Sequence, residues 1–311
     1  MDELSSKVLG GLKTRGWDGR IVSTLHVAEL KAEIESLHER GDFCEDFFEE
    51  RLKFFAFSFP PGLPNAVSLI VVAAPQPRVE VEFTWNCRTR RYTIPPTYDE
   101  STNGEVRNVL RGILEPEGYR VETTALPLKL LAVRSGLAAY GKNNITYIPG
   151  MGSFYRLMAF YSDLPCSKDT WGSSTMMERC VKCSACINKC PTQAIDCRRF
   201  LLRAERCLTF HNERACPFPE WIHPKWHHCI VGCMQCQTIC PDNKNVEHWV
   251  KVGATFSQEE TALLLESKQP GQLPEGVRSQ MEQLGLIEYL EILPRNLNAL
   301  MQKEDLPVGT I

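Results

Sequence analysis

Cysteines at fixed spacing give this chain its clearest chemical signal. The stretch CVKCSACINKCP places Cys180, Cys183, Cys186 and Cys190 in a C-x2-C-x2-C-x3-C-P run. In bacterial ferredoxins such a run binds [4Fe-4S] clusters, and its fourth cysteine ligates the other cluster of a two-cluster module. Zinc sites usually combine two separated C-x2-C pairs, so the triple run favours iron–sulfur clusters over zinc or disulfides.

A second run, GCMQCQTICP, supplies all but one of the remaining ligands. It contributes Cys233, Cys236 and Cys240 but has no cysteine three residues before Cys233. We expect Cys207, in ERCLTF, to take that place. Cys229 is the alternative, because it would complete a local C-x3-C-x2-C-x3-C-P run.

The cysteines therefore divide into two predicted ligand sets. The first [4Fe-4S] cluster takes Cys180, Cys183, Cys186 and Cys240. The second [4Fe-4S] cluster takes Cys190, Cys207, Cys233 and Cys236. A further metal bound by Cys216, His223, His227, His228 and Cys229 is a weaker alternative, because their spacing fits no standard pair of ligands.

Composition limits the class of protein. The 311 residues suffice for two domains, and a net charge of −3 predicts no broad attraction to nucleic acid or to an anionic membrane. Free thiolates are maintained in a reducing cytosol. The first residues contain no apolar signal segment, and the longest apolar run, 66–75, is too short to span a bilayer. We therefore expect a cytoplasmic protein with no membrane partner.

The elements around the cysteines follow from apolar periodicity. Residues 5–56 predict helices, among them HVAELKAEIESLHER and EDFFEERLKFF, whose apolar residues recur at helical spacing. AVSLIVVAAP and VEVEFTW predict strands, and RTRRYTIPPTY predicts a loop. Residues 103–114 and LPLKLLAVRSG predict further helices. Ser257 and Glu260 predict a capping box at the start of a helix in the tail.

The segment GLAAYGKNNITYIPGMGSF resembles the G-L-x-x-x-G-K-N…G-S segment of epoxyqueuosine reductases. ERCLTF and GCMQCQTICPDNK are similar to two further motifs of that family, and the likeness extends over about residues 66–245. In the family the lone cysteine is a cluster ligand, which supports Cys207. The resemblance implies a cobalamin, held without its lower base on the metal, in a nitroreductase-like domain that reductive dehalogenases share.

The resemblance also implies the organisation of the chain. We expect an α+β protein in which a nitroreductase-like α/β cofactor-binding domain precedes a ferredoxin-like two-cluster module, with helical segments at both ends. The predicted divisions are a helical N-terminal segment at 1–60, the α/β domain at 61–165, the cluster module at 166–245 and a helical tail at 246–311.

Several site residues follow from the same resemblance. Glu122 occupies the position of the family's proton-donating acid, although Pro127 lies two residues later than the family's proline. A surface glutamate at the end of a strand is the alternative interpretation. The residues predicted to contact the cofactor are Gly141, Lys142, Asn143 and Ser153, of which the first three follow a helix and could present backbone N–H groups to a phosphate or to corrin amides.

These features predict an iron–sulfur oxidoreductase. Its two clusters would pass electrons from reduced ferredoxin or flavodoxin to a cobalamin, which would reduce a small-molecule or nucleoside-type substrate. A tRNA substrate is not favoured, because we expect a shorter relative without the family's helical-repeat tail. The alternatives are an electron-transfer or reductive-activation protein for a separate corrinoid or flavin partner, and a flavin in place of cobalamin.

Overall fold

The computed structural model describes residues 3–266 and 269–305. The α-helices are α1 Glu3–Lys13, α2 Val27–Glu39, α3 Glu45–Arg51, α4 Ser101–Leu114, α5 Leu128–Arg134, α6 Ala185–Lys189, α7 Leu208–Glu213, α8 Gln235–Thr238, α9 Gln258–Leu265, α10 Glu275–Gln283 and α11 Leu293–Asp305. The strands are β1 Asp18–Ser23, β2 Ser68–Pro75, β3 Arg78–Trp85, β4 Arg88–Ile94, β5 Val121–Thr123, β6 Ala139–Tyr140, β7 Thr146–Tyr147, β8 Tyr155–Ser162 and β9 Val250–Phe256.

The described chain divides into two units, and the first cysteine run is divided between them. The first unit comprises Met1–Pro75, Glu100–Ser184 and Cys197–Leu202. The second unit comprises Gln76–Asp99, Ala185–Asp196 and Arg203–Ile311. The mixture of helices with mainly antiparallel sheets confirms the predicted α+β class.

The first unit is built on a four-stranded sheet in the order β1-β2-β8-β5, with every neighbouring pair antiparallel. Its central strand β2 is buried on both faces, which explains the unbroken apolar run in the sequence. Leu69 and Val71 pack with α2 and α5 on one face, whereas Ile70 and Val72 pack with α1 and α4 on the other. The predicted helices at 103–114 and after Pro127 are confirmed as α4 and α5.

The second unit is built on a three-stranded sheet in the order β4-β3-β9. Strands β3 and β4 form a hairpin, and β9 lies parallel to the other edge of β3. Buried Val81, Phe83 and Phe256 pack against the helices α9, α10 and α11. The predicted capping box is confirmed, because Ser257 Oγ accepts from the Glu260 N–H at 3.2 Å while Glu260 accepts from the Ser257 N–H at 2.8 Å.

Three segments differ from the sequence expectations. Residues 18–23 form β1 inside the segment predicted as helical, and β9 interrupts the tail predicted as helical. The predicted loop RTRRYTI is strand β4, because Asn86 and Cys87 adopt positive φ angles of 51° and 59° and form a two-residue hairpin turn. The boundaries predicted at 60, 165 and 245 stay a prediction.

Within residues 3–266 and 269–305, none of the helices has both the length and the apolar composition that crossing a membrane requires.

Candidate metal centre

The start of the first cysteine run lies in the first unit and is held by backbone hydrogen bonds. Cys180 ends a short turn in which its N–H donates to the oxygen of Met177 at 2.9 Å. The N–H of Cys183 donates in turn to the oxygen of Cys180 at 3.2 Å. These bonds explain how a C-x2-C spacing brings two cysteines to the same small loop.

The rest of the run lies in the second unit, where two short helices pack together. Cys186 lies in α6, and Cys236 lies in α8, which contacts α6. The N–H of Cys190 donates to the oxygen of Cys186 at 3.1 Å, and Cys190 Sγ accepts from the N–H of Ala194 at 3.4 Å. An N–H···S bond of this kind stabilises a thiolate ligand and tunes the potential of a cluster.

The cysteines predicted for the second cluster form one interacting group in the second unit. Burial raises the pKa of Cys207, and a charge on Cys190 raises it further. Burial also raises the pKa of Cys233 well above its usual range, with smaller contributions from Cys236, Cys229 and Cys207. Iron binding requires thiolates and releases these protons. The four side chains are half-buried and form no disulfide, a donor set that suits an iron–sulfur cluster.

Cys229 competes with Cys207 for the fourth position. It is 1 % exposed, and burial raises its pKa to about 12. Charges on both thiols raise the pKa of Cys233, with the contribution of Cys229 ahead of that of Cys207. The assignment of Cys207 as the ligand stays a prediction from the lone-cysteine motif.

For the first predicted cluster, Cys180 and Cys183 belong to the first unit, whereas Cys186 and Cys240 belong to the second. All four are half-buried and form no disulfide. Their assignment to one cluster stays a prediction from their spacing in the sequence.

The ring of His228 bonds to the protein's own backbone, and the ring of His227 is packed in the interior. His228 Nε2 accepts from the N–H of Met234 at 3.0 Å. In the tautomer that this bond requires, Nδ1 carries the proton and donates to the oxygen of Trp226, 3.2 Å away. His227 is buried against Phe218, with ring centroids 4.5 Å apart. Within the described ranges, no group of three or more His, Cys, Asp or Glu side chains could hold a single metal ion.

The predicted cofactor-binding turn lies between β6 and β7 in the first unit. The Gly141 N–H donates to the oxygen of Ile145 at 2.7 Å, and Asn143 Nδ2 donates to Tyr147 Oη at 2.9 Å. A Cβ on Gly141 would lie 2.7 Å from both Asn143 Oδ1 and the Tyr147 ring. These contacts explain the glycine and the asparagine by the structure of the turn itself. Their predicted contacts with a cofactor stay untested.

The structure places the other two candidates on different elements. Ser153 is buried directly after Gly150 and Gly152, which both have positive φ angles. Glu122 is exposed on β5, the edge strand of the first sheet, where its carboxylate faces Gly62. Both predicted roles, cofactor contact and proton donation, stay predictions.

Sequence reasoning missed one contact of the cluster loop. Lys142 Nζ donates to the carbonyl oxygens of Val181 at 3.2 Å and Cys183 at 3.0 Å. The partners are 39 and 41 residues away along the chain, so no local spacing signals this pairing.

Comparison with known proteins agrees with the two-cluster interpretation. Residues 179–243 match the family model described as a 4Fe-4S double cluster binding domain. The chain is 29% identical over 163 residues to an epoxyqueuosine reductase of Aliivibrio fischeri, with 50% of this chain and 43% of the relative covered. An epoxyqueuosine reductase of Xanthomonas campestris is 33% identical over 160 residues, with 50% and 44% covered. The matches thus span less than half the length of these two relatives.

Solved structures show the same fold. The structure of epoxyqueuosine reductase from Streptococcus thermophilus matches 97% of this chain and 82% of that chain with a TM-score of 0.70 and 18% identity. The enzyme from Bacillus subtilis gives a TM-score of 0.69, 21% identity and the same coverage. The resemblance to epoxyqueuosine reductases that the motifs predict is therefore confirmed.

Proposed function

We propose that this relative of the epoxyqueuosine reductases is an iron–sulfur reductase whose two [4Fe-4S] clusters deliver electrons to a substrate-reducing cofactor. The observation that carries the proposal is the match of residues 179–243 to a double-cluster domain. The grouping of Cys190, Cys207, Cys233 and Cys236 in the second unit supports it. Thiols in such half-buried surroundings would help to set the potential of one of the clusters.

The cofactor that we propose is cobalamin, with flavin as the alternative. Cobalamin would supply a strongly reducing metal, while the protein would supply position and protons. The support for cobalamin is the resemblance of the first unit and of the GKN segment to the family. The N–H of Gly141 and the side-chain nitrogen of Asn143 are used inside the turn, so these two groups add no support of their own.

The proposed substrate is a nucleoside of the epoxyqueuosine type, free or in RNA. The curated relatives bear the name epoxyqueuosine reductase, and one similar structure was solved with an epoxyqueuosine-modified tRNA stem loop. For this chain a tRNA is the less favoured form of the substrate, because its net charge of −3 provides no general attraction for RNA. Reduced ferredoxin or flavodoxin is the proposed electron donor.

Glu122 is the proposed proton donor for the reduction. Its position on an exposed edge strand means that bound substrate or cofactor would have to exclude water from it. The substitution Glu122→Gln keeps the size of the side chain and removes the proton. A loss of turnover of about a hundredfold or more, with unchanged iron content, would identify the donor. Unchanged turnover would leave Glu122 as a surface residue.

The experiment that tests the proposal uses anaerobically purified full-length chain with reconstituted clusters. We expect it to bind cobalamin in a form whose absorption spectrum shows no lower base on cobalt. With a chemical reductant, it should then convert epoxyqueuosine, as the nucleoside or in a tRNA stem loop, to queuosine. Conversion with flavin and not with cobalamin would contradict the choice of cofactor.

An electron-transfer protein without a substrate of its own is the second candidate. The exposure of Glu122 favours it, because a catalytic acid is usually enclosed. In that case the clusters would reduce an added corrinoid protein or flavoprotein, and neither cofactor would remain bound to this chain after gel filtration. Retention of a corrinoid through gel filtration would exclude this candidate.

A further inference from the structure

The side chain of Lys142 is bonded to the loop that begins the first cysteine run. Its ammonium group donates to the oxygen of Val181 at 3.2 Å and to the oxygen of Cys183 at 3.0 Å. All three residues belong to the first unit. Both acceptors are uncharged carbonyl groups, so these two bonds leave the positive charge of the lysine in place beside the loop.

The backbone from which Lys142 projects is itself fixed. The residue before it donates its N–H across the turn to Ile145 at 2.7 Å, and the residue after it, Asn143, is 2 % exposed and bonded to Tyr147. A lysine on a mobile loop would lose much side-chain entropy on ordering. Because the backbone of this turn is fixed, the side chain of Lys142 projects from an ordered position, and its hydrogen bonds can hold the cysteine loop in one position.

The strand before Lys142 also binds the chain that leads into the cysteine run. The N–H of Tyr140 donates to the oxygen of Thr175 at 2.9 Å, and the N–H of Met177 donates to the oxygen of Tyr140 at 2.8 Å. Cys180 follows three residues later. The β6–β7 hairpin therefore holds the loop at two places, before Cys180 through its backbone and at Val181 and Cys183 through Lys142.

We infer that Lys142 is a positioning residue for the cluster that Cys180 and Cys183 ligate, an inference that rests on the proposed iron–sulfur function. Its hydrogen bonds fix the loop that presents these two thiolates, and its charge stabilises the reduced cluster. Reduction adds one electron from an external donor and makes the cluster more negative, so a nearby ammonium group lowers the free energy of the reduced state more than that of the oxidised state. Charge and hydrogen bonding around the sulfurs set the potential of such clusters.

The test is the variant Lys142→Met, which keeps the length of the stem and removes both the charge and the donors. Anaerobic redox titration followed by electron paramagnetic resonance measures each cluster separately. We expect the equilibrium constant for reducing one cluster to fall about tenfold, a potential lower by about 59 mV for one electron. The other cluster should keep its potential. Lys142→Arg retains a charge and N–H donors and should restore the potential.

Lys182→Met is the matched control, because it removes the same charge from an exposed position on the same loop. Water and salt screen an exposed charge, so both clusters of this variant should titrate like the wild type. Equal potentials in Lys142→Met and wild type, at full iron content, would overturn the inference. A shift of the same size in Lys182→Met would also overturn it. Wild-type protein without iron would instead refute the proposed function on which the inference rests.

Discussion

Cys207 lies close enough to Cys233 that a negative charge on the first thiol raises the pKa of the second. The two residues are separated by 25 intervening positions, which include α7 and the prolines Pro217, Pro219 and Pro224. The fold therefore brings the lone cysteine of ERCLTF to the second cysteine run. A charge on Cys229 raises the pKa of Cys233 as well, so iron analysis of variants must decide which thiol supplies the ligand missing from the local spacing.

The first prediction separates Cys207 from Cys229. In Cys207→Ala, the second cluster loses a ligand, so we expect iron to fall from about eight to about four atoms per chain. Cys229→Ala should keep the full iron content, because Cys229 packs as a buried apolar side chain. Iron analysis of anaerobically reconstituted protein provides the measurement. Full iron in the Cys207 variant with half in the Cys229 variant would reverse the assignment.

The second prediction concerns the turn that carries Lys142. A Cβ on Gly141 would lie 2.7 Å from Asn143 Oδ1 and 2.7 Å from the Tyr147 ring, so Gly141→Ala must displace one of them. We expect a loss of about 1–3 kcal/mol in the free energy of unfolding, as for other overpacked sites.

Gly112→Ala is the control for this prediction. Gly112 lies in α4, where a Cβ would meet nothing within 4 Å, and alanine should stabilise the helix by about 0.5–1 kcal/mol. Denaturant midpoints of the two variants would show opposite shifts. A Gly141→Ala variant as stable as the wild type would show that the turn adjusts without cost.

The third prediction is that His227 makes the free energy of unfolding decrease in acid. Burial lowers its pKa from 6.5 to about 4, and the positive charges of Arg295, His228 and Lys303 contribute to the shift. Between these two values the unfolded chain binds a proton that the folded chain does not. The contribution of neutral His227 to the free energy of unfolding is therefore fully present above pH 6.5 and is lost as the pH falls towards 4.

Between pH 7 and pH 5 this loss amounts to about 2 kcal/mol. The variant His227→Phe cannot take up the proton, so its free energy of unfolding should fall less over the same interval. His248→Phe, at an exposed position, should show the same acid dependence as the wild type. Identical pH profiles for His227→Phe and wild type would contradict the prediction.

Local patterns predicted those elements whose signals lie within a few residues. The apolar stripe of HVAELKAEIESLHER is α2, and the capping box at Ser257 starts α9 as expected. Strands β1 and β9 were missed because each is defined by a distant partner, whereas β4 was missed because its two-residue turn at Asn86 and Cys87 was not recognised. Asp18–Ser23 pairs with β2, and Val250–Phe256 pairs with β3 across more than 150 residues. In so short a strand the alternation of apolar and polar residues is too brief to distinguish the strand from the helical segments beside it.

In the candidate site, too, local spacing predicted some features, and others depend on contacts between distant segments. The spacing of the two cysteine runs identified the cluster module, which the family match over residues 179–243 supports. The bonds from Lys142 to Val181 and Cys183 left no trace in the sequence, because they join segments that only the fold of the first unit brings together. For Gly141 and Asn143, the structure shows a role within the turn that the motif alone could not show.

The central claim is that eight cysteines, four in each predicted set, hold two [4Fe-4S] clusters. The most direct measurement is the iron and acid-labile sulfide content of protein purified without oxygen, together with its zinc content. We expect about eight iron and about eight sulfide per chain, with no bound zinc. Stoichiometric zinc without iron, or disulfide bonds among these cysteines, would contradict it.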